Sequence, residues 1–182
     1  MIQEDLLIKV LDRINQLSIP YMMTGGIASI YYGRPRLTHD FDIIVEMDTH
    51  QISKLENAFK NDFYISPSAI QDAIDKRSMF NIIHYDSGIK VDFWLIQNEE
   101  FDRKRFERRQ KHMYAKRDIF FTSPEDVILI KLLWFKDSQM QKHRDDAKGV
   151  LEIQQNLDMD YLRKWAKKLS VQNLLENLMR EE

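Results

Sequence analysis

Asp40 and Asp42 lie one residue apart in Thr38-His39-Asp40-Phe41-Asp42-Ile43-Ile44-Val45, and carboxylates at that spacing suit metal chemistry. The run that follows them is apolar and rich in β-branched residues, which predicts a strand. A strand projects residues i and i+2 from one face, so both carboxylates are expected to point one way and Phe41 and Ile43 the other. Two like charges that close repel, and a strand core has no use for them. A pair of hard divalent cations would explain the arrangement, because Mg²⁺ takes oxygen ligands, commonly one or two carboxylates plus substrate phosphates. The spacing also fits a plainer arrangement, one Asp exposed at a strand end and the other capping a turn.

A third carboxylate, Asp92, falls in Ile89-Lys90-Val91-Asp92-Phe93-Trp94-Leu95-Ile96, where alternate apolar residues face one way and Asp92 faces the other, between Lys90 and Trp94. Three strand-borne carboxylates are what a two-metal phosphoryl-transfer site requires. Gly25-Gly26 sits between a short apolar strand and a helix, where absent side chains would let backbone N–H groups approach a phosphate; many such pairs are simply turns. Lys131 lies in Val127-Ile128-Leu129-Ile130-Lys131-Leu132-Leu133-Trp134-Phe135, apolar nearly all round a helix. Its ammonium must either snorkel to the surface or meet a carboxylate or phosphate, with Asp145 and Asp146 as candidate partners. Arg34 and Arg36 flank Pro35 in the loop before the aspartates and are either phosphate grips or solvated loop residues. His39 is expected to face away from Asp40 and takes no catalytic role. His84, His112 and His143 lack metal spacing, and Ser29 and Thr24 lack the partners of a nucleophile.

These residues must be held by recognisable elements. An amphipathic helix built on Leu6, Leu7, Val10, Leu11, Ile14 and Leu17 opens the chain and ends at Ile19-Pro20. Tyr21–Met23 reads as a buried strand, Ile27–Tyr32 as a short helix closed by Gly33, and 80–85 with 89–96 as a β-hairpin. The one basic stretch, Arg103 to Arg117, reads as an amphipathic helix with a solvated basic face or as a track for a nucleic-acid backbone. Ser123-Pro124-Glu125-Asp126 is a helix start, after which the chain is all helix. The expected organisation is an α/β (α+β) core over 1–120 and a helical subdomain over 121–182.

Composition bounds the rest. The 182 residues are 43% hydrophobic and 31% charged, as in a globular protein with a proper core, and the net charge of −2 advertises no overall nucleic-acid affinity. There are no cysteines, which removes disulfides, zinc–thiolate sites and thiol nucleophiles. The acidic start lacks a signal-peptide pattern and no apolar run approaches the roughly 20 residues that span a bilayer, so a cytoplasmic location without membrane contact is expected.

Met23-Thr24-Gly25-Gly26, then Asp40-Phe41-Asp42-Ile43, then Asp92 on a later strand, resembles the nucleotidyltransferase superfamily typified by DNA polymerase beta. The segment 123–132 followed by Arg144-Asp145-Asp146-Ala147-Lys148-Gly149-Val150-Leu151 is similar to minimal bacterial nucleotidyltransferases related to abortive-infection toxins. The resemblance implies a small mixed sheet flanked by helices with a C-terminal helical bundle. It implies Mg²⁺, two ions, on Asp40, Asp42 and Asp92, with Lys131 and Asp146 completing the catalytic set. Gly25, Gly26, Arg34, Arg36 and Thr38 would contact the nucleotide. Gly26 departs from the serine that many relatives carry there, so that hydroxyl is missing from the turn. The implied activity is transfer of a nucleotidyl group from an NTP to an acceptor hydroxyl, on RNA such as a tRNA or on protein, in a toxin–antitoxin or phage-defence setting with a cognate toxin or antitoxin partner. The competing expectation is a non-catalytic, antitoxin-like interaction module that keeps the fold.

Overall fold

The computed structural model describes residues 2–38 and 40–181, so the expectation for His39 lies outside the described residues. Among the described residues the chain runs α1 (Ile2–Gln16), β1 (Tyr21–Met23), α2 (Gly25–Tyr32), β2 (Phe41–Val45), α3 (Ile52–Phe59), β3 (Phe63–Tyr64) and α4 (Pro67–Lys76). It continues through β4 (Met79–His84), β5 (Lys90–Leu95), α5 (Glu100–Glu107), β6 (Gln110–Tyr114) and β7 (Arg117–Phe121). Four helices close it: α6 (Pro124–Ser138), α7 (Gln141–Ile153), α8 (Met159–Lys168) and α9 (Gln172–Arg180). The seven strands form one mixed sheet in the order β3-β4-β5-β2-β1-β7-β6, so the fold is α+β as expected.

The register follows from side-chain parity. Phe41, Ile43 and Val45 of β2 pair in parallel with Val91, Phe93 and Leu95 of β5, and all six are buried in the main core. Leu7, Val10, Leu11 and Ile14 of α1 and Leu55 and Phe59 of α3 belong to the same core cluster. The alternate residues of these strands face the other way, where Met22, Ile44 and Ile96 meet Phe106 of α5 in a second, smaller cluster. A one-residue slip would exchange the two faces, so the apolar alternation that builds the core also fixes which face carries Asp42 and Asp92.

Helix α6 starts as its sequence predicts. Ser123 Oγ accepts the Asp126 N–H at 3.3 Å and donates to the Asp126 carboxylate at 2.8 Å, with Pro124 opening the helix. The main core cluster includes Val127, Ile128, Leu129 and Leu132 of α6 together with residues of α7, α8 and α9. Sheet and C-terminal helices therefore share one core.

The basic stretch differs from its expectation. Only its first part is helical, ending at Glu107, and Gln110–Tyr114 is an edge strand paired antiparallel with β7. Gln-Lys-His-Met-Tyr is too polar to read as a strand alone, but an edge strand with charges is a stable solution that discourages further pairing. Most of its cations are also paired with carboxylates. Arg103 pairs with Glu46, Arg105 with Asp102, Arg108 with Glu125, and Arg117 with Asp12.

Candidate active site

The parallel pairing of β2 with β5 places Asp42 directly opposite Asp92. Directly paired strand residues have Cβ atoms about 4.5–5.5 Å apart, so the two carboxylates share one patch of the sheet. Asp92 is 6% exposed. Its Oδ2 lies 3.0 Å from Lys90 Nζ, while its Oδ1 is buried with no hydrogen-bond partner among the described residues. Asp42 Oδ1 accepts the Trp94 indole N–H at 3.3 Å. Burial holds the Asp42 carboxyl above its ordinary range; the Asp92 and Asp40 charges add to this, against the Trp94 hydrogen bond and Lys131. Lys90 is held charged, chiefly by its bond to Asp92.

Helix α2 begins beside this pair. Thr24 N–H donates to Asp42 O at 3.0 Å, which ties the end of β1 to β2 and aims the start of the helix at the carboxylates. Gly25 adopts φ +61°, and a Cβ there would lie 2.0 Å from Asp42 Oδ2. Only glycine meets both conditions. A Cβ at Gly26 would lie 2.4 Å from Thr38 Oγ1. The space that a side chain at Gly26 would need is thus taken by the Thr38 hydroxyl, which returns an –OH to the turn from a different part of the chain. The free N–H groups of a helix start and its positive dipole end favour an anion at this position.

Asp40 departs from the expected arrangement. Strand β2 begins at Phe41, so Asp40 precedes the ladder and is exposed. Among the described residues no group of three His, Asp or Glu side chains gathers closely enough to hold a metal. The Asp40 charge is nevertheless felt at both Asp42 and Lys90. Asp42 and Asp92 themselves fit a hard cation: both offer carboxylate oxygens, and one buried oxygen has no partner among the described residues.

Lys131 and Asp146 meet behind α2. Lys131 Nζ lies 2.7 Å from Asp146 Oδ2, with the side chains 3% and 6% exposed. Arg36 grips the same carboxylate at two points, Nε to Oδ1 at 2.7 Å and Nη2 to Oδ2 at 2.9 Å. Burial opposes ionisation of Asp146, but the Arg36 and Lys131 bonds outweigh it and hold its carboxyl below the usual range. Burial lowers the Lys131 pKa despite Asp146. The ammonium also lies 4.9 Å from the centre of the Trp134 ring. Arg34 reaches Glu152 of α7, so both loop arginines are engaged by carboxylates. Asp145 bonds Gln141 and takes no part.

Trp94 and Lys90 are site residues that the search for catalytic types passed over. Their signal was parity, since both share the strand face of Asp92. Trp94 also walls a cavity of about 400 Å³ between the sheet and α6, lined by Thr24, Ile44, Ile96, Ile130 and Trp134 among others.

No family model matches the chain, and no curated protein matches it in sequence. Solved structures do resemble it. An antigenic nucleotidyltransferase-like protein from Paracoccidioides brasiliensis superimposes with a TM-score of 0.60 at 17% identity, over 97% of this chain and 87% of that one. The lincosamide antibiotic adenylyltransferase LnuA, with lincomycin bound, gives 0.55 at 15% identity, over 83% and 98%. The antibiotic-resistance factor ANT(2'')-Ia gives 0.58 at 14% identity, over 99% and 98%. The chain has the fold of these nucleotidyltransferases.

Proposed function

We propose that the protein transfers a nucleotidyl group from an NTP to an acceptor hydroxyl, with Mg²⁺ as cofactor. The observation that carries this reading is the Asp42–Asp92 pair, with its partnerless buried oxygen, set against the glycine-only start of α2. The fold likeness supports it as an analogy, since one fold hosts many chemistries and the site must make the argument.

Asp42 and Asp92 would hold the metal, with Asp40 as the third acid of the set. When bound, Mg²⁺ neutralises charge on the phosphates and lowers the pKa of the acceptor hydroxyl. The Gly25 and Gly26 N–H groups and the Thr38 hydroxyl would hold the phosphates at the start of α2. The acceptor oxygen bonds to the α-phosphorus while the bond from that phosphorus to the bridging oxygen breaks. Pyrophosphate leaves with the electron pair. The acceptor's proton would pass to Asp40, the exposed carboxylate of the set, since Asp42 and Asp92 are taken up as ligands. Lys131, locked on Asp146, keeps a fixed positive charge behind the phosphate site.

The test is incubation with each α-labelled NTP and an extract separated into small molecules, RNA and protein, with Mg²⁺ or with chelator. Label transferred only with Mg²⁺, and lost in Asp42→Asn, is the expected result. Equal transfer with chelator contradicts the reading.

A further inference from the structure

We propose that the cavity between Trp94 and Trp134 binds the acceptor, and that the acceptor is a small, largely apolar molecule bearing a hydroxyl. This rests on nucleotidyl transfer at Asp42 and Asp92. Three features of the cavity point the same way.

Its position comes first. Trp94 is both a wall of the cavity and the donor to Asp42 Oδ1, and Thr24, at the mouth of α2, lines it too. The wall therefore touches the Asp42 carboxylate directly. An acceptor hydroxyl must reach the α-phosphorus itself, whereas a nucleobase stands off from it by a ribose. A ligand against Trp94 and Thr24 is placed as an acceptor.

Its chemistry comes second. Ile44, Ile96 and Ile130 and the two indoles make the body apolar. Several polar groups at the rim are already engaged within the chain. Arg105 Nε donates to Asp102 at 2.6 Å, and the Gln97 amide N–H groups go to Arg77 O at 2.5 Å and Leu95 O at 2.8 Å. A base is read through free donors and acceptors along its edges, and a site built to do so rejects whatever cannot pair. Here burial and stacking on indole faces are what remain to bind a ligand. A volume near 400 Å³ falls within the range of small-molecule sites.

The third feature weighs against a nucleic-acid acceptor. A nucleic acid needs unpaired cations along its backbone. Arg103, Arg105, Arg108 and Arg117 each sit on a carboxylate of this same chain. Lys104 and Lys111 likewise face Glu107 and Asp118, which leaves Arg109 and Lys116 as the cations of the stretch without a carboxylate among the described residues.

The three tryptophans supply an internal control, because Trp165 packs against Phe101 away from the cavity lining. The experiment follows the indole N–H resonances of the whole protein while 2-phenylethanol, adenosine or a short single-stranded RNA is added, with Mg–NTP affinity measured separately by calorimetry. Saturable shifts of Trp94 and Trp134 but not Trp165 with 2-phenylethanol, persisting when Mg–NTP is bound, are expected. Ile130→Phe, which fills the cavity, should weaken the phenylethanol response at least tenfold and leave Mg–NTP affinity within twofold. Trp134→Leu serves the same purpose if the larger side chain does not fold. If adenosine moves Trp134 and phenylethanol competes with NTP, the cavity holds the base and the proposal is overturned. RNA moving both indoles more tightly than phenylethanol overturns the substrate class. NTP binding without any saturable indole shift removes the cavity assignment alone. No NTP binding by the wild type removes the transfer reading and the acceptor role with it.

Discussion

Two buried carboxylate centres flank α2, and the chain treats them in opposite ways. Asp146 is oversupplied: one carboxylate, buried, takes the whole of Lys131 and both prongs of Arg36. Asp42 and Asp92 are undersupplied: two carboxylates share one half-exposed lysine and an indole N–H, and one oxygen is left with nothing. Their pKa shifts carry the same contrast, Asp146 held low by its cations and Asp42 held high by burial and like charge. A buried charge without partners is expensive, and partial pairing recovers little of that cost. The saturated centre joins the loop before β2 to α6 and α7 and needs no further partner from outside. The starved centre is completed only by something brought from outside.

The largest expected effect is on transfer. Asp42→Asn should reduce it by roughly 10³-fold or more, the scale on which electrostatic stabilisation of a developing charge operates. The same variant sharpens the contrast in stability. The folded-state pKa of Asp42 lies above its ordinary value, so between the two the folded protein holds more protons than the unfolded chain. Wild-type stability contributed by this group therefore falls as pH rises through that window. The Asn variant lacks the penalty, and its advantage in melting temperature should widen from acid pH towards neutrality, as thermal melts across pH will record.

Asp146→Ala is next. It strands Lys131 among apolar neighbours, and removing one partner of a buried pair costs about 3–5 kcal/mol. For a chain of this length that lowers the melting temperature by about 2–4 °C per kcal/mol. Lys131→Met should cost much less, because Arg36 continues to hold Asp146 and the desolvated ammonium is gone. A chemical-denaturation comparison that ranks the two equally would break the idea that Lys131 is the dependent partner. The smallest effect belongs to Lys90, whose side chain is 41% exposed. Lys90→Met removes the one cation on Asp92 and should tighten Mn²⁺ binding several-fold, read by electron paramagnetic resonance.

Much of this was legible in the sequence where periodicity dominates. The parity of Ile89–Ile96 placed Asp92 opposite its apolar neighbours, and the register with β2 follows from the same rule. The apolar setting of Lys131 required a partner, and Asp146 is that partner. The failures occur where local chemistry yields to tertiary contact. Asp40 stands one residue before β2 and is exposed, where the sequence put it inside the strand, while its charge still acts on Asp42. Arg36 looks like a free loop cation until α7 brings Asp146 to it, across 110 positions of sequence. Thr38 was named with Gly26 only through the resemblance, since nothing local brings a hydroxyl twelve residues on back over a helix start. Gln110–Tyr114 was hidden for another reason: an edge strand defended by charge has no apolar alternation to read.

The central claim is that Asp42 and Asp92 form an incomplete centre that Mg²⁺ and an NTP complete together. Calorimetric titration of each NTP into the wild type, with and without Mg²⁺, and into Asp42→Asn tests it most directly. The account predicts binding of at least one NTP that requires Mg²⁺ and is lost in the variant. NTP binding that is indifferent both to Mg²⁺ and to Asp42 would contradict it.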